Sequence, residues 1–152
     1  MYLVEELLAL VAVASLGMFF GAMLTEGLVL VPYWRSIPAE AFYSWYGAND
    51  KRLLGFFGPL TWLAALSALA AAGTSLWMNH PGRWYAGAAA ACALMVVSMF
   101  FLYFERANAT FSLGRMPANE LRVELGRWAA WHWVRSGLSL TALAAAVLAA
   151  WQ

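Results

Sequence analysis

Four apolar stretches, each long enough to cross a lipid bilayer, constrain this chain more than any other feature. They cover residues 7–31, 54–77, 84–107 and 128–151, and a transmembrane helix needs about 20 mainly apolar residues. Such segments must be helical, because lipid offers the backbone no hydrogen-bond partner. Only 11% of the residues are charged, whereas soluble domains are about 25% charged. The sequence therefore predicts one all-α domain over residues 1–152, an integral membrane four-helix bundle.

The three connections between these spans differ in length. Segment 78–83 is short, which predicts that spans two and three form an antiparallel hairpin. Segment 32–53 is long and has aromatic and polar residues at helical spacing: Phe42, Trp45, Tyr46 and Asn49. This spacing predicts an amphipathic interfacial helix between spans one and two. Segment 108–127 is also long, and we predict a short helix from Pro117 before span four.

Prolines and basic residues add detail to this topology. Three prolines are expected in the connections as helix-stop signals: Pro32, Pro81 and Pro117.

The side with the two long connections carries eight of the nine basic residues: Arg35, Lys51, Arg52, Arg106, Arg115, Arg122, Arg127 and Arg135. The other side carries Arg83. By the positive-inside rule, we expect the long connections in the cytoplasm and both termini outside, in a bacterial inner membrane.

Several classes of partner follow from composition. The formal net charge is +1 and no basic run occurs, so we expect the lipid bilayer, not nucleic acid, as the partner. Cys92 is the only cysteine, which excludes an intrachain disulfide.

An aromatic belt is expected on the cytoplasmic side, formed by Tyr33, Trp34, Trp45, Trp128, Trp131 and Trp133. Gly17 and Gly21 form a G-x-x-x-G motif, which serves either packing within the bundle, the reading we favour, or a homo-oligomer face.

Three ionisable residues lie inside apolar spans. Glu26 is near the end of span one, Glu105 near the end of span three, and His132 near the start of span four. A charge at membrane depth costs at least about 2.5 kcal/mol, so such residues are functional candidates by default. The predicted topology places all three in one layer on the cytoplasmic side.

Other polar residues are expected in the same layer. Trp128, His132 and Arg135 share one helix face at i, i+4 and i+7, and Asn108 lies one turn after Glu105. We predict a pocket that opens towards the cytoplasm. Its substrate-binding residues would be Trp128, Trp131 and Asn49, the last on the interfacial segment.

Each polar residue also has a purely structural interpretation. Arg135 would then neutralise a buried glutamate, and Glu105 beside Arg106 would be a boundary pair whose charges reach the interface. Glu26 resists this interpretation, because none of its sequence neighbours from Met23 to Leu28 can neutralise it.

Two chemistries suit this set of residues. Glu26, Glu105 and His132 would hold a divalent metal, with iron, manganese or copper as candidates, although no H-x-x-x-H, E-x-x-H or C-x-x-C spacing occurs. Alternatively, His132 would abstract a proton, while Arg135 and Asn108 stabilise the anion that develops. In that case the two glutamates would orient His132.

The C-terminal third resembles the anthrone-oxygenase-like family of small four-helix membrane proteins. The resemblance rests on Asn108-Ala109-Thr110, followed by Arg127-Trp128-Ala129-Ala130-Trp131-His132-Trp133-Val134-Arg135-Ser136. The family pattern is an asparagine after span three, then a tryptophan, a His or Asn four residues later, and an arginine followed by Ser or Thr. The glycine-containing first span that ends before Pro32 and the overall length are also similar.

This resemblance implies an oxygenase-like activity that inserts oxygen into a polyaromatic ketone to make a quinone. The matching positions here are Asn108, Trp128, His132, Arg135 and Ser136, whereas the two glutamates have no counterpart in the pattern. We therefore expect a membrane oxidoreductase that acts on a small hydrophobic, aromatic substrate. The alternative is a non-enzymatic accessory subunit or small-molecule permeation module, in which the polar cluster only holds the helices together.

Overall fold

The computed structural model describes residues 2–152, and these residues are almost entirely helical. The elements, in chain order, are α1 (Tyr2–Thr25), a first π-helical segment (Glu26–Leu30), α2 (Val31–Ser36), α3 (Ala39–Trp77), α4 (Arg83–Met99), a second π-helical segment (Phe100–Phe104), α5 (Glu105–Leu113) and α6 (Ala118–Trp151). They form four continuous helices that are long and apolar enough to cross a membrane: Leu3–Ser36, Ala39–Trp77, Arg83–Leu113 and Ala118–Trp151. The predicted all-α bundle of four transmembrane helices is confirmed, and the chain is an integral membrane protein.

The four helices pack in a ring. Helix α1 contacts α3 and α6, and α4 contacts the same two helices from the other side. Small buried residues fill the centre, among them Ala64, Ala68, Ala89 and Ala142, so the backbones approach closely as in other membrane bundles. Helices α3 and α4 are joined by the short turn at 78–82, and they form the predicted hairpin.

The connection between the first two spanning helices is shorter than the sequence predicted. Helix α2 ends at Ser36 and α3 begins at Ala39, so the chain reverses at Ile37 and Pro38. The predicted interfacial segment is helical, but a separate interfacial helix is wrong, because the segment continues into α3 without a break. The backbone of Pro38 is extended, with ψ of 154°. A proline in this conformation starts α3, and no further proline precedes Leu54, so that the helix continues through Gly47.

The other predicted boundaries change for similar reasons. The helix expected from Pro117 begins at Ala118 and runs into span four as one helix, so it is not a separate short helix. Pro32 lies in the first turn of α2, not in a connection, directly after the first π-helical segment, where the regular α-helical hydrogen bonding is already interrupted. Helix α5 ends at Gly114, whose φ of 62° is left-handed, and the Tyr43 hydroxyl ties the following turn by donating to the Met116 carbonyl at 2.9 Å.

An aromatic cluster joins the helices at the end of the bundle near these turns. Its buried members are Trp34, Phe42, Tyr46, Phe104, Phe111 and Trp128. Trp34 meets Trp128 with ring centroids 5.5 Å apart, and Phe42 meets Phe111 at 5.3 Å, both edge to face. Trp34 and Trp128 therefore belong to the core, and their expected place in an interfacial belt is wrong.

The two glycines of the G-x-x-x-G motif, Gly17 and Gly21, lie in different environments. A side chain added at Gly17 would contact Leu143 of α6 at 3.9 Å, whereas one at Gly21 would meet nothing within 4 Å. Gly17 therefore faces the bundle and Gly21 faces outwards. The homo-oligomer face stays a prediction.

Candidate functional site

A buried ion pair connects the first and last spanning helices. Glu26 is the first residue of the first π-helical segment, and Arg135 lies in α6, and both are buried. The Arg135 Nη2 donates to Glu26 Oε2 at 2.9 Å and to His132 Nδ1 at 3.0 Å. The guanidinium also lies 4.1 Å from the ring centroid of Phe104, within the range of a cation–π interaction. Arg135 is therefore the centre of the cluster.

The hydrogen bonds assign the tautomer of His132. Its Nε2 lies 2.9 Å from the Met23 carbonyl oxygen, which can only accept, so Nε2 carries the hydrogen. Nδ1 then has a lone pair for the N–H of Arg135. Glu26 Oε2 lies 3.4 Å from Nδ1, a contact without a hydrogen in this tautomer. Both ring nitrogens of this fully buried imidazole are thus occupied.

Helix periodicity explains why these residues meet. Met23, Glu26 and Gly27 lie on one face of the first spanning helix, and Trp128, His132 and Arg135 lie on one face of α6. The Trp128 ring stacks on the imidazole with centroids 5.2 Å apart and planes at 7°. Gly27 allows the approach, because a Cβ there would lie 2.9 Å from His132 Nε2.

Both π-helical segments border the cluster. Glu26 begins the first segment, and Phe104, which underlies Arg135, ends the second. A π-helical turn widens the helix by one residue, and such turns are frequent at functional sites. Because both π-helical segments of this bundle border the same cluster, the cluster is the strongest candidate for its functional site.

A cavity of about 490 Å³ opens beside the ion pair, between α3 and the third spanning helix. We call it the principal cavity. Its polar end is lined by Glu26, Tyr46, Asp50, Lys51, Glu105, Asn108, Ser112 and Arg135, and its apolar walls include Phe57, Trp62, Val96, Phe100, Phe101 and Trp128. Ligand sites have volumes of about 300–1,000 Å³, with mainly apolar walls and a few polar groups. The principal cavity has this character.

Five of the eight predicted site residues line the principal cavity. They are Glu26, Glu105, Asn108, Trp128 and Arg135. Asn108 is positioned by Trp128, whose indole Nε1 donates to the Asn108 Oδ1 at 2.9 Å. Glu105 is exposed at the edge of the cavity.

The other three lie outside the cavity lining. His132 is behind Arg135 and Trp128. Trp131 stacks on Tyr103 with centroids 5.4 Å apart, on the outer side of α6. Asn49 donates to the carbonyl of Trp45 in its own helix at 2.8 Å. His132 does lie beside Glu26 and Arg135, as the sequence predicted, but periodicity alone could not say which face of α6 meets the cavity.

The predicted metal ligands do not form a metal site. Among residues 2–152, no group of three or more His, Cys, Asp or Glu side chains is close enough to hold an ion. Glu105 is exposed at the edge of the cavity, and the guanidinium of Arg135 donates to both Glu26 and His132. A cation bound there would face the positive charge of Arg135. The grouping of Glu26, Glu105 and His132 as a metal triad is therefore wrong.

Two residues of the site were missed by the sequence reasoning. Tyr46 lines the polar end of the cavity and is buried, although its spacing with Phe42 indicated only an interfacial face. Phe104 is completely buried beneath Arg135, and an apolar residue in an apolar span gives no signal of such a role.

One comparison with known proteins gave a match. A family model described as anthrone oxygenase matches residues 42–145, which include most of α3, all of α4 and most of α6. Searches of curated proteins and of solved structures gave no match.

Proposed function

The chain belongs to the anthrone oxygenase family, and we propose on this premise that it is a membrane-embedded, oxygenase-like enzyme acting on a small hydrophobic, aromatic substrate. The observation that carries the proposal is the principal cavity, in which aromatic walls lead to a buried arginine–carboxylate pair. A flat aromatic ketone would place its rings between the walls and its oxygen at the polar end.

Arg135 and Asn108 are the proposed groups that bind the ketone oxygen. The Nε of Arg135 is buried and has no hydrogen-bond partner among residues 2–152, and an unsatisfied buried donor is unusual in a folded protein. A substrate oxygen would satisfy it. Donors already aligned towards an oxygen that gains negative charge lower the barrier of enolate formation.

Glu26 is better placed than His132 to take the proton. The carboxylate lines the principal cavity, whereas His132 lies behind it with both nitrogens hydrogen-bonded. We propose that Glu26 removes a proton from the carbon between the aromatic rings, and that His132 is a positioning residue which holds Arg135. The resulting enolate reacts with dioxygen. The CH₂ carbon becomes a carbonyl, one oxygen atom enters the product, and the other leaves as water.

Anthrone is the probe for this reaction, since anthrone and dioxygen yield anthraquinone and water. Purified protein in mild detergent should consume oxygen and form the quinone faster than the spontaneous oxidation measured without protein. Arg135→Met should lower kcat by about 100-fold or more, as loss of one oxyanion donor does in other enzymes, and Glu26→Gln should also lower kcat strongly. Tyr103→Phe, outside the cavity, is the matched control with unchanged kcat.

The outcome of this assay separates the enzyme from the non-enzymatic alternative. If the folded wild-type protein gives no turnover above the spontaneous rate with anthrone or related polyaromatic ketones, the oxygenase proposal fails. In that case the accessory or permeation module, held together by the same ion pair, is the better account.

We also propose that the turns at Ile37–Pro38 and at 114–117 face the cytoplasm. The support is the distribution of basic residues, eight on this side against one on the other. Single cysteines introduced at Arg115 and at Arg83 in a Cys92→Ser background would test it in intact bacterial cells. An impermeant maleimide should label position 83 and not position 115, and the reverse pattern would refute the orientation.

A further inference from the structure

A second cavity lies at the opposite end of the bundle. Its volume is about 340 Å³, and alanines from all four spanning helices form most of its wall, so we call it the alanine-lined cavity. Its polar lining comes from Glu5, Glu6, Ser75 and His80. Glu5 and Glu26 are 21 residues apart on one spanning helix, or about 31 Å of helical rise. The alanine-lined cavity is therefore separate from the principal cavity.

Glu5 is the unusual residue of this cavity. Its side chain lines the cavity, the residue is only 8% exposed, and its Oε1 has no hydrogen-bond partner among residues 2–152. An acidic residue in the first turn stabilises a helix, but this role does not require burial of the carboxylate. A carboxylate that is buried without any partner is costly, and so a ligand in the cavity that donates to this carboxylate would stabilise it.

The charges around the alanine-lined cavity define that ligand. Two carboxylates line it, and no lysine or arginine does. The nearby Arg83 is directed elsewhere, because its Nη1 donates to the carbonyls of Asn79 and His80, each at 3.2 Å. His80 accepts the backbone N–H of Gly82 at Nδ1, which requires a neutral ring. Among residues 2–152, the lining of the cavity therefore has negative charge at its polar end and no positive charge to balance it.

We propose that the alanine-lined cavity binds a primary ammonium group attached to an apolar body, with Glu5 as its main partner. The ammonium would donate to the carboxylate of Glu5, which lines the cavity, and Glu6 would add charge attraction at the mouth. The apolar body would pack against the alanines, whose small side chains create the space. A multivalent metal ion is a poorer fit, since no three ligating side chains come together in the described part of the chain.

Phenethylammonium is a suitable probe, and 2-phenylethanol is a nearly isosteric neutral control. Isothermal titration of wild-type protein in a detergent without amines should show saturable binding of the ammonium and at least about tenfold weaker binding of the alcohol. Glu5→Gln keeps the shape of the side chain and should weaken ammonium binding about tenfold or more. The exposed Glu6→Gln should have a smaller effect. Thermal unfolding of each variant checks that the bundle is intact.

This site does not depend on the proposed oxygenase function. Glu26→Gln, in the principal cavity, should leave phenethylammonium binding unchanged, so a failed oxygenase assay would not affect the inference. Equal ammonium binding by folded wild type and Glu5→Gln, equal binding of ammonium and alcohol, or binding that does not saturate would each overturn it.

The ammonium group has two natural sources, a free amine or the headgroup of phosphatidylethanolamine. Titration in nanodiscs of phosphatidylcholine, with and without phosphatidylethanolamine, distinguishes them. Competition by phosphatidylethanolamine would support a lipid headgroup as the occupant, and unchanged affinity would support a free amine.

Discussion

Replacement of Gly27 by alanine tests the close contact that fixes the imidazole at the centre of the site. A Cβ at position 27 would lie 2.9 Å from Nε2 and 3.1 Å from Cδ2 of His132, and 3.2 Å from Cη2 of Trp133. His132 is completely buried, and its Nε2 donates to the Met23 carbonyl. The ring therefore cannot move away without losing this hydrogen bond or its stack on Trp128.

The size of the effect follows from three contributions. Overpacking of a well-packed core costs about 1–3 kcal/mol, and a lost hydrogen bond costs about 0.5–1.5 kcal/mol. Replacing glycine by alanine in a helix returns about 0.5–1 kcal/mol. We therefore expect Gly27→Ala to lower the free energy of unfolding by about 2 kcal/mol.

Gly21→Ala is the matched control, six residues earlier on the same spanning helix. A side chain there would meet nothing within 4 Å, so only the helix-propensity gain of about 0.5–1 kcal/mol applies. Unfolding in mixed micelles with increasing sodium dodecyl sulfate, followed by tryptophan fluorescence, measures both variants. The two substitutions should change stability in opposite directions. If Gly27→Ala is as stable as Gly21→Ala, the close contact with His132 is not present and the reasoning is refuted.

Three further predictions concern other parts of the bundle. Arg135→Met should lower the free energy of unfolding by about 3–5 kcal/mol, because it leaves Glu26 buried and unpaired. The double variant with Glu26→Gln should recover part of this loss in the same unfolding assay. Equal stability of the single and double variants would contradict a direct ion pair. Tyr103→Phe removes the hydroxyl that donates to the buried Glu124 at 2.7 Å, and should lower stability by about 1 kcal/mol with no change in kcat. Gly114→Ala should destabilise by about 1–2 kcal/mol, since φ of 62° is unfavourable for alanine, whereas no loss would show that the turn adopts another conformation.

Periodicity and apolar length predicted the bundle, because both depend on the bilayer. Lipid requires helices of a minimum length, and the short turn at 78–82 requires a hairpin. The helix ends were less predictable. Hydropathy predicts that span two starts at Leu54, yet α3 begins at Ala39. A helix continues beyond the apolar layer whenever no residue stops it, and hydropathy does not report on this.

The candidate site was predictable in depth and composition but not in its pairings. Loop lengths placed Glu26, Asn108, His132 and Arg135 in one layer. They could not show that Arg135 donates to both Glu26 and His132, or that Arg135 and Glu26 line the cavity while His132 does not. Glu105 lines the cavity from an exposed position whereas Glu26 is buried, and loop lengths do not predict this difference.

The two π-helical segments explain why pairings of this kind are hidden in the sequence. Each one adds a residue to a turn, so side chains beyond it are rotated relative to those expected from a regular 3.6-residue period. Glu26 and Phe104 lie at the borders of these segments, and both contact Arg135. Phe100–Phe104 is an aromatic and aliphatic run that an α-helix also accepts. In Glu26–Leu30 only Glu26 and Gly27 differ from such a run, and neither residue type by itself marks a π-helical turn. The two irregular turns are stabilised by contacts across the bundle, because they bring the Glu26 carboxylate and the Phe104 ring to the guanidinium of Arg135. These contacts form only when the helices have packed.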